Sequence, residues 1–141
     1  MDNHTPEQRH RNMSAVKNKD SEIEKMLRKE LWSRGIRYRK NSNKVFGHPD
    51  IVFIGKKIAV FCDSEFWHGY DWENRKNDIK SRREFWIPKI EKNIQRDEEV
   101  NTKLRESGWV VLRFWGKDIK KNVTACADVI EKTLKEKENG F

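Results

Sequence analysis

The sequence predicts an α/β fold: a mixed sheet of about four strands with helices on both faces. Three observations predict it. The elements run in the order helix, strand, hairpin, long helix, strand, helix. At the centre, Pro49 to His68 reads PDIVFIGKKIAVFCDSEFWH, two apolar runs joined at Gly55-Lys56. Both runs are almost continuously apolar, as in strands buried on both faces.

Each element has a local cause. Met1 to Lys19 is polar, basic and without periodicity, and reads as a mobile arm with Met13, Ala15 and Val16 as its apolar handles. Residues 20–141 read as a single domain. Ser21 to Gly35 is a helix, with Ile23, Met26, Leu27 and Leu31 at helical spacing. Ser21 and Glu24 have the S-x-x-E spacing of a capping box, and Gly35 is a natural stop. Ile36 to Lys40 can form a short edge strand. Asn41 to His48 is a polar loop.

Ile51 to Ile54 and Ile58 to Cys62 form the hairpin, with Gly55-Lys56 as a two-residue connection. Gly69 to Lys80 is polar and irregular. Arg82 to Ser107 is a long helix, with Trp86, Ile90, Ile94, Val100 and Leu104 on its apolar face. Pro88 is tolerable if the helix begins near Phe85 and otherwise marks a kink. Gly108 ends it. Trp109 to Trp115 is a further strand. Asp118 or Asn122 can cap a last helix that buries Val123, Cys126, Ala127, Ile130 and Leu134.

Composition narrows the function. Of 141 residues, 38% are charged and 35% hydrophobic, so one small core is carried inside a charged surface. Lys and Arg exceed Asp and Glu by 31 to 23, a net charge of +8, which suits a polyanionic partner such as nucleic acid. The two cysteines, Cys62 and Cys126, read as buried thiols of a cytoplasmic protein. No C-x-x-C pair supports a cysteine-rich zinc site. No apolar run reaches membrane-spanning length.

Register brings two acids together. If Gly55 and Lys56 form the loop, Ile54 pairs with Lys57 and Asp50 lies opposite Phe61. Asp63, two residues on, shares that face, with roughly 7–8 Å between the two Cα positions. Two carboxylates so placed can hold one hard divalent cation such as Mg²⁺. The competing reading is a pair of solvated strand ends. His68 follows at once and can act as a general base, and His48 is a second candidate. Asp97 and Asn93 lie on the apolar stripe of the long helix, where a buried Asp needs a partner. Glu24 reads from spacing as a capping residue.

The aromatics Phe66 and Trp67 either fold back into the core or wedge between bases. Arg75, Lys76, Arg82 and Arg83, with Lys80 and the arm's Arg9, Arg11, Lys17 and Lys19, suit phosphate contacts. Tyr70 and Trp72 are interleaved with them.

Together these residues resemble the very-short-patch-repair (Vsr) DNA mismatch endonucleases. The resemblance lies in ordered blocks: RNMSAVKNKDSEIEK, GHPDIVF, FWH, REFWIPKIEKNIQRD and LRESGWVVLRFW. It implies a restriction-endonuclease-like fold and Mg²⁺ held by Asp50. It implies a catalytic His68 supported by Asp97, and Glu24 near the active site. It implies a DNA wedge of Met13, Phe66 and Trp67. It also implies nicking of duplex DNA at T·G mismatches by a monomer, beside a cytosine-5 methyltransferase and the mismatch-repair machinery.

The chain departs from that pattern twice. Where well-known members hold a structural zinc, it has Glu65, Tyr70, Trp72 and Lys117, so no structural zinc is expected, with Tyr70 and Trp72 packing that loop instead. Asp63 stands where they have a histidine. Asp50, Asp63, His68, Asp97 and Glu24 are therefore the expected catalytic set, with Asp50 and Asp63 on the metal. A restriction-like nuclease cutting matched DNA, a non-catalytic DNA-binding module and an RNA-acting nuclease remain as alternatives.

Overall fold

The computed structural model describes residues 21–40 and 44–138. The predicted arm, with Met13, lies outside them. The elements are α1 (Glu22–Ser33), β1 (Arg39–Lys40), β2 (Ile51–Phe53), β3 (Ile58–Asp63), α2 (Trp72–Arg75), α3 (Arg83–Glu106), β4 (Val110–Trp115), α4 (Gly116–Lys121) and α5 (Val123–Glu138).

The sheet is mixed and four-stranded, in the order β1-β2-β3-β4. β1 and β2 pair antiparallel, as do β2 and β3, while β3 and β4 run parallel. All six residues of β3 are buried, which accounts for its unbroken apolar run. Ile51, Phe53, Ile58, Val60 and Cys62 pack against Leu27 and Leu31 of α1, Ile119 of α4 and Ile130 of α5. Val52, Ala59 and Phe61, on the opposite face, pack against Val100 and Leu104 of α3. A third cluster gathers Trp67, Trp86 and Ile90 at the N-terminal end of α3.

The hairpin keeps the expected register, with Ile51 opposite Val60 and Phe53 opposite Ile58. Its connection is wider than two residues. Ile54–Lys56 forms a 3₁₀ turn, closed by Lys57 in the left-handed region at φ 57°. The edge strand is only Arg39–Lys40, shorter than expected. α3 starts at Arg83, so Pro88 lies inside it and the Glu84 carbonyl has no N–H four residues on. The C-terminal helical stretch is divided. Asn122 ends α4, and its Oδ1 accepts the Ala125 N–H at 3.1 Å to start α5. The stretch from Gly69 to Lys80 holds the short α2 and a 3₁₀ turn at Lys76–Asp78. No helix among the described residues is long and apolar enough to cross a membrane.

Candidate active site

The C-terminal end of β3 opens into a cleft of about 990 Å³. α1 contributes Glu24, the loop before β2 contributes His48 and Asp50, and β3 contributes Asp63. His68 follows β3, Asn93, Arg96 and Asp97 come from α3, Arg113 from β4, and Lys117 and Lys120 from α4.

Asp50 stands just before β2. Its N–H donates to the Val60 carbonyl, although Val60 is the residue opposite Ile51. Strand register therefore breaks at Asp50, and face alternation no longer governs its side chain. The Asp50 Oδ2 accepts the Cys62 N–H at 2.7 Å, a donor on β3 beyond the end of β2 pairing. Burial pushes the Asp50 carboxyl up to about 8, and the neighbouring Glu24 adds to this by charge and by a hydrogen bond. Burial also raises the Cys62 thiol well above its ordinary value, with Asp50 and Glu24 contributing.

Glu24 is only 3% exposed. Ser21 Oγ caps its N–H at 3.4 Å, so half of the expected capping box exists. The Glu24 carboxylate instead faces Asp50 and forms an ion pair with Arg28 at 3.4 Å. The capping-residue reading of its side chain is corrected: burial beside a second acid is its main circumstance.

Asp63 lines the same cleft as Asp50, and its charge helps to raise the Asp50 carboxyl. Both Asp63 oxygens accept from Arg113 Nη1, at 3.0 and 3.1 Å. Burial raises its carboxyl, while His68 and Arg113 pull it back. His68 Nδ1 lies 2.6 Å from Asp97 Oδ2 and 3.7 Å from Asp63 Oδ1. With Asp97 as acceptor, the Nδ1 carries the proton and Nε2 is left as the basic nitrogen. Asp97, half-buried on its apolar stripe, thus has a partner in His68. Asn93 on the same stripe donates to the Trp67 carbonyl at 3.2 Å, tying the His68 loop to α3.

Phe66 and Trp67 fold back. Trp67 is 2% exposed, and both rings meet Trp86 edge-on with centroids 5.3 and 5.8 Å away. Arg75, Lys76, Arg82 and Arg83 do not line the cleft, and Arg82 Cζ sits 5.1 Å from the centre of the Phe85 ring. Arg83 Nη1 is committed to the carbonyls of Lys76 and Ile79. Among the described residues the cations that line the cleft are Arg96, Arg113, Lys117 and Lys120. Sequence reasoning misses Arg113, although a lone charge inside WVVLRFW signals a half-buried cation needing partners.

Glu65 accepts the Lys117 backbone N–H, and Lys117 Nζ meets the Tyr70 hydroxyl. Tyr70 packs edge-on against Trp115 with centroids 5.0 Å apart. Trp72 Nε1 donates to Glu91 at 3.0 Å. These contacts close the loop after His68. Among the described residues no cluster of three or more His, Cys, Asp or Glu side chains is arranged to hold a metal.

Residues 1–74 match the family described as DNA mismatch endonuclease Vsr. The chain is 52% identical to the type II nicking enzyme V.NmeDIP of Neisseria meningitidis serogroup C, covering 98% of this chain and 93% of that protein. It is also 52% identical to the type II nicking enzyme V.HpaIIP of Haemophilus parainfluenzae, covering 97% and 98%. Against the DNA mismatch endonuclease Vsr of Escherichia coli K12 the identity is 35%, covering 81% and 72%.

Proposed function

The chain belongs to the Vsr family of DNA endonucleases, and from that premise we propose that it nicks duplex DNA at T·G mismatches with a divalent cation held at Asp50. One observation carries this reading. Buried Glu24 and half-buried Asp50 are two acids in hydrogen-bond contact in the lining of the cleft, with Asp50 pushed up to about 8. A divalent cation can take the place of that proton and relieve the repulsion between the two carboxylates. Mg²⁺ suits the donors, because it binds through one or two carboxylates and keeps several waters. A full protein cage is therefore not required.

Bound there, the cation would supply charge neutralisation for the phosphodiester and its leaving oxygen. The remaining work falls to side chains. Asp97 holds His68 by Nδ1, so Nε2 can take a proton from the attacking water. Glu24 orients groups around Asp50. Asp63 is committed to Arg113, so the cation is assigned to Asp50 with Glu24 beside it. The Phe66 and Trp67 pair, with Met13, would open the base stack, which a mispair makes easier. The proposed setting is beside a cytosine-5 methyltransferase and the mismatch-repair machinery, where deamination of 5-methylcytosine leaves T·G pairs.

The test is a nicking assay on end-labelled duplexes that differ in one pair, T·G or matched. Each is run with Mg²⁺, with Mn²⁺, with chelator, and with Asp50→Ala. Nicking of the T·G strand alone, dependent on cation and on Asp50, is expected. Equal cutting of matched duplexes would establish the restriction-like reading instead. Cleavage that persists in chelator or in Asp50→Ala would remove the cation from Asp50.

A further inference from the structure

Arg113 lies within β4, opposite Phe61 of the parallel neighbour β3. A guanidinium set into a sheet must find partners for its donors. Its Nε–H donates to Asn101 Oδ1 on α3 at 2.7 Å. Its Nη1 donates to both oxygens of Asp63 and stands 3.7 Å from Asp97 Oδ1. Its Cζ sits 4.0 Å from the centre of the Phe61 ring. The group is thus held by partners from two other elements, β3 and α3.

The consequence concerns His68. Two carboxylates, Asp63 and Asp97, stand near one imidazole nitrogen, at 3.7 and 2.6 Å. A free Asp63 would compete for that nitrogen and turn the ring. Asp63 is 5% exposed, so solvent offers it little. Arg113 occupies both of its oxygens and leaves Asp97 as the partner.

We propose that Arg113 is a positioning residue for DNA cleavage: by holding Asp63 it makes Asp97 the acceptor of His68 Nδ1–H and so fixes the ring that faces the cleft. This rests on the cleft being the site of cleavage. It also gives Asp63 a role that needs no cation. A direct phosphate contact by Arg113 fits less well, since its Nε and Nη1 are already committed to Asn101 and Asp63.

The test combines kinetics with imidazole ¹H–¹⁵N spectra recorded without DNA or metal. Arg113→Met should lower kcat about 10–100-fold, the usual range for a group that orients another, with KM for DNA nearly unchanged. Its His68 Nδ1–H signal should move away from the strongly deshielded wild-type position. Adding Asp63→Ala removes the competing acid. The double variant should regain most of the lost kcat and the wild-type His68 signal, because the harm in the single variant comes from an unpaired carboxylate. A raised KM with unchanged kcat would make Arg113 a DNA contact and overturn the proposal. So would an unmoved His68 signal, or a double variant no better than the single one. If Arg113→Met does not fold, Arg113→Lys keeps the charge and loses the Asn101 bond, and a smaller shift of the same sign is expected. Wild-type protein that nicks no T·G duplex would sink the proposed function, while the spectra would still decide the placement of His68.

Discussion

Asp50 on one side of the hairpin accepts the Cys62 N–H of the other through its side chain, at 2.7 Å. That bond does not offset burial and the nearby Glu24, because the carboxyl is still pushed up to about 8 from an ordinary 3.8. The sign of the stability effect follows. Between these two values the folded state holds a proton that the unfolded chain has released. Stability therefore falls as pH rises across that window. Cation-free protein should lose thermal stability from about pH 5 to pH 8, and Mg²⁺ or Mn²⁺ should restore it at the upper end. Asp50→Asn should flatten the slope, raise the midpoint at pH 8 and abolish nicking. Identical pH slopes in wild type and Asp50→Asn, read by calorimetry, would show that Asp50 is not the strained acid.

His68 and Asp97 should behave as one unit. Asp97→Asn keeps the shape and removes the charge that holds the Nδ1 proton. A loss of about 10–100-fold in kcat is expected, typical of such orienting groups. His68→Ala should cost more, about 10²–10⁴-fold, as a general base does. The double variant should be no slower than His68→Ala, since Asp97 acts only through the ring. Additive losses in single-turnover nicking would mean that Asp97 has separate chemistry.

Trp67 carries the aromatic cluster. It is 2% exposed against Phe66 and Trp86, with Lys89 Nζ 5.3 Å from its ring centre. Trp67→Ala should destabilise the protein by about 3–5 kcal/mol in urea unfolding. Trp67→Phe should cost less, since it keeps an aromatic face. A cost below about 1 kcal/mol for the alanine variant would contradict this packing. A wedge that leaves this cluster on DNA must give up the same contacts, so both variants should also discriminate T·G from matched duplex less well.

Much of this architecture is legible in the residues. The runs IVFI and IAVFC mark a doubly covered hairpin, and its turn predicts the register that places Ile51 against Val60. The pairing of His68 with Asp97 follows the apolar stripe of α3, where an acid needs a partner. Legibility ends where side chains leave the periodic pattern. The ladder count does not foresee that the Asp50 N–H bonds one residue out of register. Glu24 has capping spacing, which conceals its burial beside Asp50, a residue distant in sequence. Arg113 meets Asp63 through a parallel pairing between residues fifty apart, a contact that no local spacing encodes. The basic run from Arg75 to Arg83 looks like a DNA surface, yet part of it ties down its own loop through Arg83.

Gly69, the residue after His68, gives a test of placement that removes no functional group. It has φ +66°, and a Cβ there would lie 2.3 Å from Ile94 Cδ1 and 2.8 Å from Ile94 Cγ1. Ile94 sits one turn before Asp97 on α3, so the loop rests against the helix that holds the His68 partner. Gly69→Ala combines left-handed strain with a clash, each worth about 1–3 kcal/mol. It should lift the loop from α3, weaken the bond from His68 to Asp97 and lower kcat, with DNA affinity kept. Gly35→Ala is the control. Gly35 also has a positive φ, +77°, but nothing lies within 4 Å of its Cβ position. It should lose stability by strain alone and keep kcat. Adding Ile94→Ala to Gly69→Ala makes room and should recover part of the activity, leaving the backbone strain. If Gly69→Ala nicks at the wild-type rate, close contact of this loop with α3 is not what sets His68.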